Sequence, residues 1–369
     1  MARIELQLAH SYARTVRSDA DYALLPLDIT FEDGGAYALL GPSGCGKTTM
    51  LNIISGLVTA SHGVIRFDGV DCTRATPQER NIAQVFQFPV IYDTMTVGEN
   101  LAFPLRNRKV PAAQIRERVG RIAEMLELSA QLDQRAANLA ADAKQKISLG
   151  RGLVRPDVSA VLFDEPLTVI DPHLKWELRR KLKQIHHELG LTLIYVTHDQ
   201  VEAMTFADQV LVMARGRVVQ QGTPEDLFER PRHTFVGHFI GSPGMNLLPV
   251  EGRADGGLWL DGLSLGRPAS AALPAGPLTL GIRPEYLSLS SEGGAGTVPA
   301  TVTHVRHVGT SQLLSARIGA LEIKAHLPVD AVPPAPGAVV HLALVGPHTR
   351  YYRNEELVEG PAHRPAPAA

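Results

Sequence analysis

The stretch Tyr37-Ala-Leu-Leu-Gly41-Pro-Ser-Gly-Cys-Gly-Lys-Thr48 decides the fold of the first half of the chain. Its second part fits the pattern G-x-x-x-x-G-K-[ST], in which glycines let successive backbone N–H groups turn inward around phosphate oxygens. Residues 37–40 predict a buried strand and residues 48–57 predict a helix, which is the context that this motif requires. We therefore expect a nucleotide-phosphate site made by Gly41, Pro42, Ser43, Gly44, Cys45, Gly46, Lys47, Thr48 and Thr49.

A second acidic segment completes the expected site. An apolar run at residues 159–163 is followed directly by Asp164 and Glu165, so a buried strand delivers two carboxylates at its C-terminal end. Ligands of open α/β sheets bind at that end of the strands. We expect Lys47 to reach the β- and γ-phosphates, Thr48 and Asp164 to bind Mg²⁺, and Glu165 to polarise the attacking water.

The first 235 or so residues alternate short apolar runs with helical patterns, which predicts an α/β domain with a largely parallel sheet. The predicted strands span residues 4–8, 35–40, 64–67, 82–86, 160–163, 192–197 and 209–214. The predicted helices span residues 48–57, 97–105, 112–126, 144–153, 172–189 and 200–207.

Beyond residue 245 the chain becomes rich in Gly, Pro, Val and Leu and loses helical periodicity. Strand-sized runs separated by turns, at residues 257–260, 278–281, 302–308, 312–318, 321–327 and 339–344, predict a small all-β barrel domain. We expect an ATP-binding domain over residues 1–240, an OB-like β domain over residues 241–358, and a disordered tail over residues 359–369.

Composition excludes several classes of protein. The 369 residues include 36 Lys and Arg against 38 Asp and Glu, a net charge of −2 that does not suit a general nucleic-acid binder. The two cysteines, Cys45 and Cys72, form no disulfide framework. No apolar stretch approaches the roughly 18–20 residues of a membrane-spanning helix, so we expect a cytosolic protein that reaches a membrane only through a partner. The pair His186-His187 is expected on a solvated helix face.

The order of these motifs resembles that of the ATPase subunits of bacterial ABC importers for sugars and polyols, the maltose-type class. In that resemblance Tyr12 matches the aromatic residue that stacks on adenine, and Gln87 matches the glutamine that links Mg²⁺ to the permease-facing loop. Asp171 matches the aspartate loop at the dimer interface, and His198 matches the switch histidine at the γ-phosphate.

The resemblance extends to the second half, where Gly281-Ile-Arg-Pro-Glu285 and the residues 239–246 are similar to the accessory OB-like, TOBE-type domain of the same importers. It implies ATP and Mg²⁺ as cofactors, two integral-membrane permease subunits and a periplasmic solute-binding protein as partners, and no nucleic acid. It implies a location on the cytoplasmic face of the inner membrane. The segments 86–95, 139–154 and 168–171 look most like one of the two ATPases of a glycerol-uptake importer.

The chain departs from the family at the signature segment. The family has Leu-Ser-Gly-Gly-Gln, which opens a helix that grips the γ-phosphate held by the other subunit. This chain has Leu139-Ala140-Ala141-Asp142-Ala143. Added Cβ atoms crowd a backbone that approaches a phosphate closely. Asp142 is expected to place a negative charge against that phosphate, with a repulsion of roughly 3 kcal/mol at about 5 Å before screening.

This asymmetry predicts a heterodimer with a second, different ATPase that carries an intact signature. A homodimer of this chain would have two impaired sites, whereas in the heterodimer its own nucleotide would face a good signature. Two alternatives stay open. One alternative is a nucleotide-binding regulatory subunit with little hydrolysis, and the other is a homodimeric ATPase of an importer for another solute.

Overall fold

The computed structural model describes residues 2–168, 170–268, 273–290, 292–294 and 296–358. The chain divides into two compact units, residues 1–224 and residues 225–369. The tail predicted as disordered, residues 359–369, lies outside the described residues.

The first unit contains two sheets. One has the strand order β2-β1-β4-β5, with β1 at Ile4–His10, β2 at Leu24–Phe31, β4 at His62–Phe67 and β5 at Val70–Asp71. The other has the order β10-β9-β3-β8-β7-β6. Its strands are β3 at Ala36–Leu40, β6 at Ala83–Val85, β7 at Val161–Asp164, β8 at Leu193–Thr197, β9 at Gln209–Ala214 and β10 at Arg217–Gly222.

The second sheet is parallel from β6 through β7, β8 and β3 to β9, and only β10 runs antiparallel to its neighbour. Helix α1, Lys47–Ser55, buries Met50, Leu51 and Ile54 in a core shared with residues of both sheets. Burial of such side chains contributes about 1.5–3 kcal/mol each. The predicted α/β class and parallel sheet are therefore confirmed.

Three helices form a separate cluster in this unit: α2 at Val97–Asn107, α3 at Ala112–Met125 and α4 at Ala141–Leu153. Two glycines inside α4 are explained by its neighbours. A Cβ at Gly150 would lie 2.5 Å from Leu101 of α2, and one at Gly152 would lie 2.8 Å from Val85 of β6. Both glycines allow α4 to pack closely, which offsets their low helix propensity of about 1 kcal/mol.

Helix α5 spans Pro172–Leu189, and α6 spans Gln200–Phe206. His186 contradicts the expectation of a solvated pair, because it is only 3% exposed and its Nδ1 lies 2.8 Å from the carbonyl oxygen of Leu191. Burial lowers the pKa of His186. His187 is exposed, as predicted. The chain turns back at the end of α5 and covers one of the two adjacent rings.

The second unit begins with two short helices, α7 at Pro224–Glu229 and α8 at Thr234–Phe239, and continues as strands. One sheet has the order β13-β12-β11-β14-β20-β21 and the other has β15-β19-β16-β17-β18. The strands are β11 at Asn246–Gly252, β12 at Leu258–Leu260, β13 at Leu263–Gly266, β14 at Gly276–Ile282, β15 at Ser288–Ser290, β16 at Thr297–His307, β17 at Ser311–Ile318, β18 at Leu321–Pro328, β19 at Val339–Ala343, β20 at Arg350–Arg353 and β21 at Glu356–Leu357.

Leu280 and Leu314, one from each sheet, lie in a common core, so the all-β prediction is confirmed, with the described strands in two sheets rather than one ring. Arg283, within the motif at residues 281–285, is 2% exposed and donates to the carbonyl oxygens of Phe228 at 2.7 Å and Ile240 at 2.6 Å. In the described part of the chain, no helix combines the length and apolar character needed to span a membrane.

Candidate nucleotide site

The phosphate loop lies between β3 and α1, as the motif predicted. Gly46, which precedes α1, has a φ of 105°, and a Cβ there would lie 2.6 Å from the carbonyl oxygen of Ala23. A Cβ at Gly41 would lie 2.3 Å from the carbonyl oxygen of Met213. These two positions admit only glycine, so the loop keeps a backbone-lined surface at the N-terminal end of a helix, where anions bind.

Lys47 is the first residue of α1 and is only 6% exposed. Its ammonium donates hydrogen bonds to the carbonyl oxygens of Gly41 at 2.8 Å and Pro42 at 3.0 Å. The charged group is therefore held inside the curve of the loop and not in solvent. Burial raises the pKa of the neighbouring Cys45 thiol, so the structure gives that residue no nucleophilic character.

Thr48 and Asp164 meet at the carboxyl end of β7, where the Thr48 hydroxyl donates to Asp164 Oδ1 over 3.4 Å. Burial, together with the neighbouring Glu165, raises the pKa of Asp164. A hydroxyl and a carboxylate are hard oxygen ligands of the kind that Mg²⁺ takes together with phosphate oxygens and water. Among the described residues no cluster of three or more His, Cys, Asp or Glu side chains is arranged to hold a metal ion.

Glu165 and His198 come from different strand ends and are adjacent in space. His198 Nδ1 lies 3.0 Å from Glu165 Oε2, and the Thr168 hydroxyl lies 3.4 Å from the same oxygen. Glu165 has a φ of 46°, in the left-handed region, and its N–H donates to Val196 of β8 at 3.0 Å. This turn directs its carboxylate toward the segment that follows β8.

Two residues of the expected nucleotide site, Tyr12 and Gln87, come from outside the phosphate loop. The Tyr12 side chain is 64% exposed, rests edge-on against His10 with ring centroids 4.5 Å apart, and directs its hydroxyl to Thr49 at 3.4 Å. An exposed ring beside the first turn of α1 is free to stack on a base. Gln87 is half-buried and follows β6, the strand that pairs with β7 next to Asp164.

The signature segment begins α4 without a capping side chain, since Ala140 occupies the N-cap position. Ala140 and Ala141 are exposed, whereas Asp142 is half-buried in a small pocket that Lys146 and Lys181 also line. Both lysines pair with Glu127, which lines the same pocket, so the expectation that the Asp142 carboxylate faces a docked phosphate stays a prediction. Its charge still lies in the first turn of the helix, where it offsets the positive end of the dipole.

Two further contacts place the ends of α4 and α5. Gln145 is fully buried, and its amide donates to the carbonyl oxygen of Pro166 at 2.6 Å, one residue after Glu165. Asp171 is exposed just before α5 and accepts the N–H of Lys175 at its carbonyl oxygen, 2.9 Å away. The sequence did not single out Gln145, because a buried glutamine inside a helix carries no motif of its own.

Three known families match parts of this chain. The ABC transporter family matches residues 24–168, the MalK OB fold domain matches residues 241–287, and the TOBE domain matches residues 280–352. The first match contains the phosphate loop and both carboxylates of β7 and its turn. The other two lie in the β-rich unit, which confirms the OB-like prediction.

Similar proteins are known over most of the chain. The sn-glycerol-3-phosphate import ATP-binding protein UgpC of Bordetella avium is 40% identical over 296 residues, 79% of this chain and 81% of that protein. The uncharacterized ABC transporter ATP-binding protein y4oS of Sinorhizobium fredii is 41% identical over 338 residues, 89% of this chain and 88% of that protein.

A solved structure, cbiO1 of Clostridium perfringens, part of the ABC transporter complex cbiONQ, superposes with a TM-score of 0.56 and 28% identity, over 62% of this chain and 90% of that one. Because the similarity to import ATP-binding proteins runs through both the nucleotide-binding unit and the β-rich unit, the chain belongs to the ATP-binding subunits of maltose-type ABC importers, which couple ATP hydrolysis to import.

Proposed function

We propose that this ATPase drives a permease that imports glycerol or a related polyol or sugar, and that it does so paired with a second, non-identical ATPase. The observation that carries the catalytic half of the proposal is the 3.0 Å contact between Glu165 and His198 beside the phosphate loop. The features that support the pairing are the four replaced positions of the signature segment.

The chain's own residues divide the work on its nucleotide. Backbone N–H groups of the loop and the Lys47 ammonium bind the β- and γ-phosphates, while the exposed Tyr12 ring stacks on adenine. Glu165 orients and polarises the attacking water, and His198 holds both Glu165 and the terminal phosphate in position. Thr48, Asp164 and Gln87 hold Mg²⁺, which, when bound, neutralises the charge that develops on the phosphate oxygens.

The partner ATPase supplies what this chain lacks. An intact signature from the partner completes the site at Lys47 and Glu165, so the nucleotide bound by this chain is hydrolysed. The partner's nucleotide faces Ala140, Ala141 and Asp142, which offer no serine hydroxyl and carry an added negative charge. Hydrolysis there is slow, and Asp171 contributes to the contact between the two subunits.

Two permease subunits and a periplasmic solute-binding protein complete the assembly, which places this chain on the cytoplasmic face of the inner membrane. The solute is chosen by those partners. Glycerol is proposed from the likeness of segments 86–95, 139–154 and 168–171 to one ATPase of a glycerol-uptake importer. UgpC of Bordetella avium is an sn-glycerol-3-phosphate import ATP-binding protein, and that solute has the same three-carbon backbone as glycerol.

The test is ATPase activity of the assembled importer in proteoliposomes, measured with the binding protein loaded in turn with glycerol, glycerol 3-phosphate and maltose. Stimulation by glycerol alone or most strongly by glycerol supports the proposed solute, and stimulation by either of the others overturns it. The pairing is tested separately with this chain alone. Brisk, cooperative hydrolysis by the pure chain, with transport in the absence of a second ATPase, would refute the heterodimer.

A second candidate, a regulatory subunit that binds ATP with little hydrolysis, is favoured by the altered signature segment. It differs in one measurable respect. If the chain is a regulatory subunit, adding the partner ATPase leaves hydrolysis of the ATP bound by this chain near zero. Under the main proposal, the same mixing raises turnover, and Glu165→Gln in this chain removes the increase.

A further inference from the structure

We infer that Glu202 is a positioning residue for hydrolysis, and that it acts by fixing the backbone that carries His198. The inference rests on the proposed role of His198 and goes beyond it, because it assigns a task to a buried carboxylate that belongs neither to the phosphate loop nor to the proposed metal ligands. Glu202 lies in the first turn of α6 and is 4% exposed.

A closed ring of hydrogen bonds surrounds the His198 peptide. The Thr197 hydroxyl donates to Glu202 Oε2 at 2.8 Å and accepts the N–H of Asp199 at 3.0 Å. The N–H of Glu202 donates to Asp199 Oδ1 at 3.1 Å. The residues on both sides of His198 are therefore joined through one hydroxyl to one carboxylate.

The same carboxylate also fixes the strand and the neighbouring helix. The hydroxyl of Tyr195, a fully buried residue of β8, donates to Glu202 Oε2 at 3.0 Å. Lys175 Nζ of α5 lies 3.7 Å from the other oxygen, Oε1. Since Asp171 precedes Lys175 by one helical turn, Glu202 joins the His198 segment to the helix that follows the proposed dimer contact.

Burying the Glu202 carboxylate costs free energy, and an apolar side chain could fill the same space without that cost. A buried carboxylate is more expensive to keep than an apolar side chain of similar volume, even when it is paired. What it offers is several strong, directional bonds at a single point. Those bonds hold the His198 imidazole at 3.0 Å from Glu165. A displacement of about 1 Å at such a contact lowers turnover by about 100-fold.

The experiment is a double-mutant cycle between Glu202→Leu and His198→Ala in the assembled importer, with kcat and KM for ATP as readouts. We expect Glu202→Leu to lower kcat by about 100-fold with KM changed less than about twofold. Glu202→Gln keeps an oxygen that accepts both hydroxyls, so it restores most of the activity, within about tenfold of the wild type. In the His198→Ala background, Glu202→Leu should lower kcat no further.

A stability effect that lowers kcat independently of His198 would instead make the two substitutions multiply, and that result overturns the inference. Thr197→Val serves as the second variant if Glu202→Leu does not fold, because it removes the bridging hydroxyl and leaves the carboxylate in place. We expect an approximately tenfold lower kcat that again disappears in the His198→Ala background. Multiplicative effects for Thr197→Val would overturn the inference equally.

Two comparisons separate this inference from the proposed function. Glu188→Gln, near the C-terminal end of α5 and partly exposed, is the matched control and should leave kcat unchanged. If His198→Ala alone leaves kcat unchanged, the proposed catalytic arrangement itself is wrong. If His198→Ala lowers kcat but the cycle with Glu202 is multiplicative, only the role assigned to Glu202 is wrong.

Discussion

Two helix N-termini in the same unit, those of α1 and α4, differ both in the backbone that precedes them and in the charge of their first turn. Helix α1 follows a loop in which Gly44 and Gly46 have positive φ, and its first turn carries Lys47 and no acidic residue. Helix α4 follows Ala140 in an ordinary extended conformation, and its first turn carries Asp142. The first N–H groups of both helices lack intrahelical partners. Of the two helices, only α1 combines these N–H groups with a cation and with glycines that leave room for a phosphate.

The difference shows that a helix N-terminus can bind phosphate only if the neighbouring backbone and side chains leave it open and carry no negative charge. At α1 the neighbouring carbonyl groups of Ala23 and Met213 exclude every side chain from two loop positions, so the concave surface persists. At α4 alanine side chains occupy the exposed first turn, and Asp142 offsets the helix dipole. Sites at α1 and α4 of one chain are therefore unequal, and the following substitutions test that inequality.

The largest effect is expected for Glu165→Gln. Loss of the carboxylate that polarises water should lower kcat by about 1,000-fold, within the range of general-base contributions. ATP affinity should stay within about threefold, because Lys47 and the loop are untouched. Single-turnover hydrolysis and equilibrium binding of a fluorescent ATP analogue measure the two quantities. Residual turnover above one tenth of the wild type would remove Glu165 from the catalytic role.

Restoring the signature segment should have the next largest effect. The combined change Ala140→Ser, Ala141→Gly, Asp142→Gly and Ala143→Gln should raise the ATPase rate of the pure chain by tenfold or more, about the contribution of one well-placed donor to a developing charge. Steady-state phosphate release from the isolated chain is the measurement. The control is Asp142→Ala alone, which removes only the charge and should give a smaller rise. An unchanged rate after full restoration contradicts the idea that this segment limits the pure chain.

Exchanging glycine and alanine at the two helix ends tests how strictly each backbone position depends on its residue. Gly41→Ala places a Cβ 2.3 Å from the carbonyl oxygen of Met213, so it should destabilise the chain by about 2 kcal/mol. Ala141→Gly, at the exposed start of α4, should cost less than about 1 kcal/mol. Urea unfolding monitored by circular dichroism compares the two variants. Equal losses would mean that the loop at Gly41 is more adaptable than its packing indicates.

The smallest effect concerns Asp164. Its pKa is raised above the ordinary value of 3.8 by burial and by Glu165, so ionisation at neutral pH destabilises the folded state, and this penalty appears as pH rises through the raised pKa. Asp164→Asn should therefore raise the melting temperature by about 1–2 °C near neutral pH. The gain should disappear below the raised pKa, where the wild-type carboxyl is also neutral. A lower melting temperature at neutral pH would contradict this sign.

The sequence was sufficient to predict those parts of the site whose residues are close together along the chain. The glycine spacing around Lys47 and the apolar run before Asp164 each predict a strand end and a helix start, and the structure has both. The contact between Glu165 and His198, by contrast, spans 33 positions, and the order of motifs in a known family placed both residues near the phosphate without predicting that contact. The ring around Glu202 was not predicted, because Tyr195 and Thr197 belong to a buried strand and read as ordinary core.

Two strands of the first unit that the sequence did not predict, β2 and β10, share a physical cause. Strands β2 and β10 lie at sheet edges, and their sequences carry a proline or several polar residues, so neither shows a clean apolar alternation. His186 was placed in solvent because adjacent histidines look alike in sequence. Its burial depends on Leu191, which follows the turn at the end of α5, and no helical pattern reports such a tertiary contact.

The bond from Gln145 to Pro166 has a mechanical consequence. It joins the N-terminal part of α4 directly to the backbone of the turn that carries Glu165, so a displacement of one segment is transmitted to the other. Under the proposed pairing, a neighbour that contacts the start of α4 is therefore coupled to the Glu165 turn through the backbone.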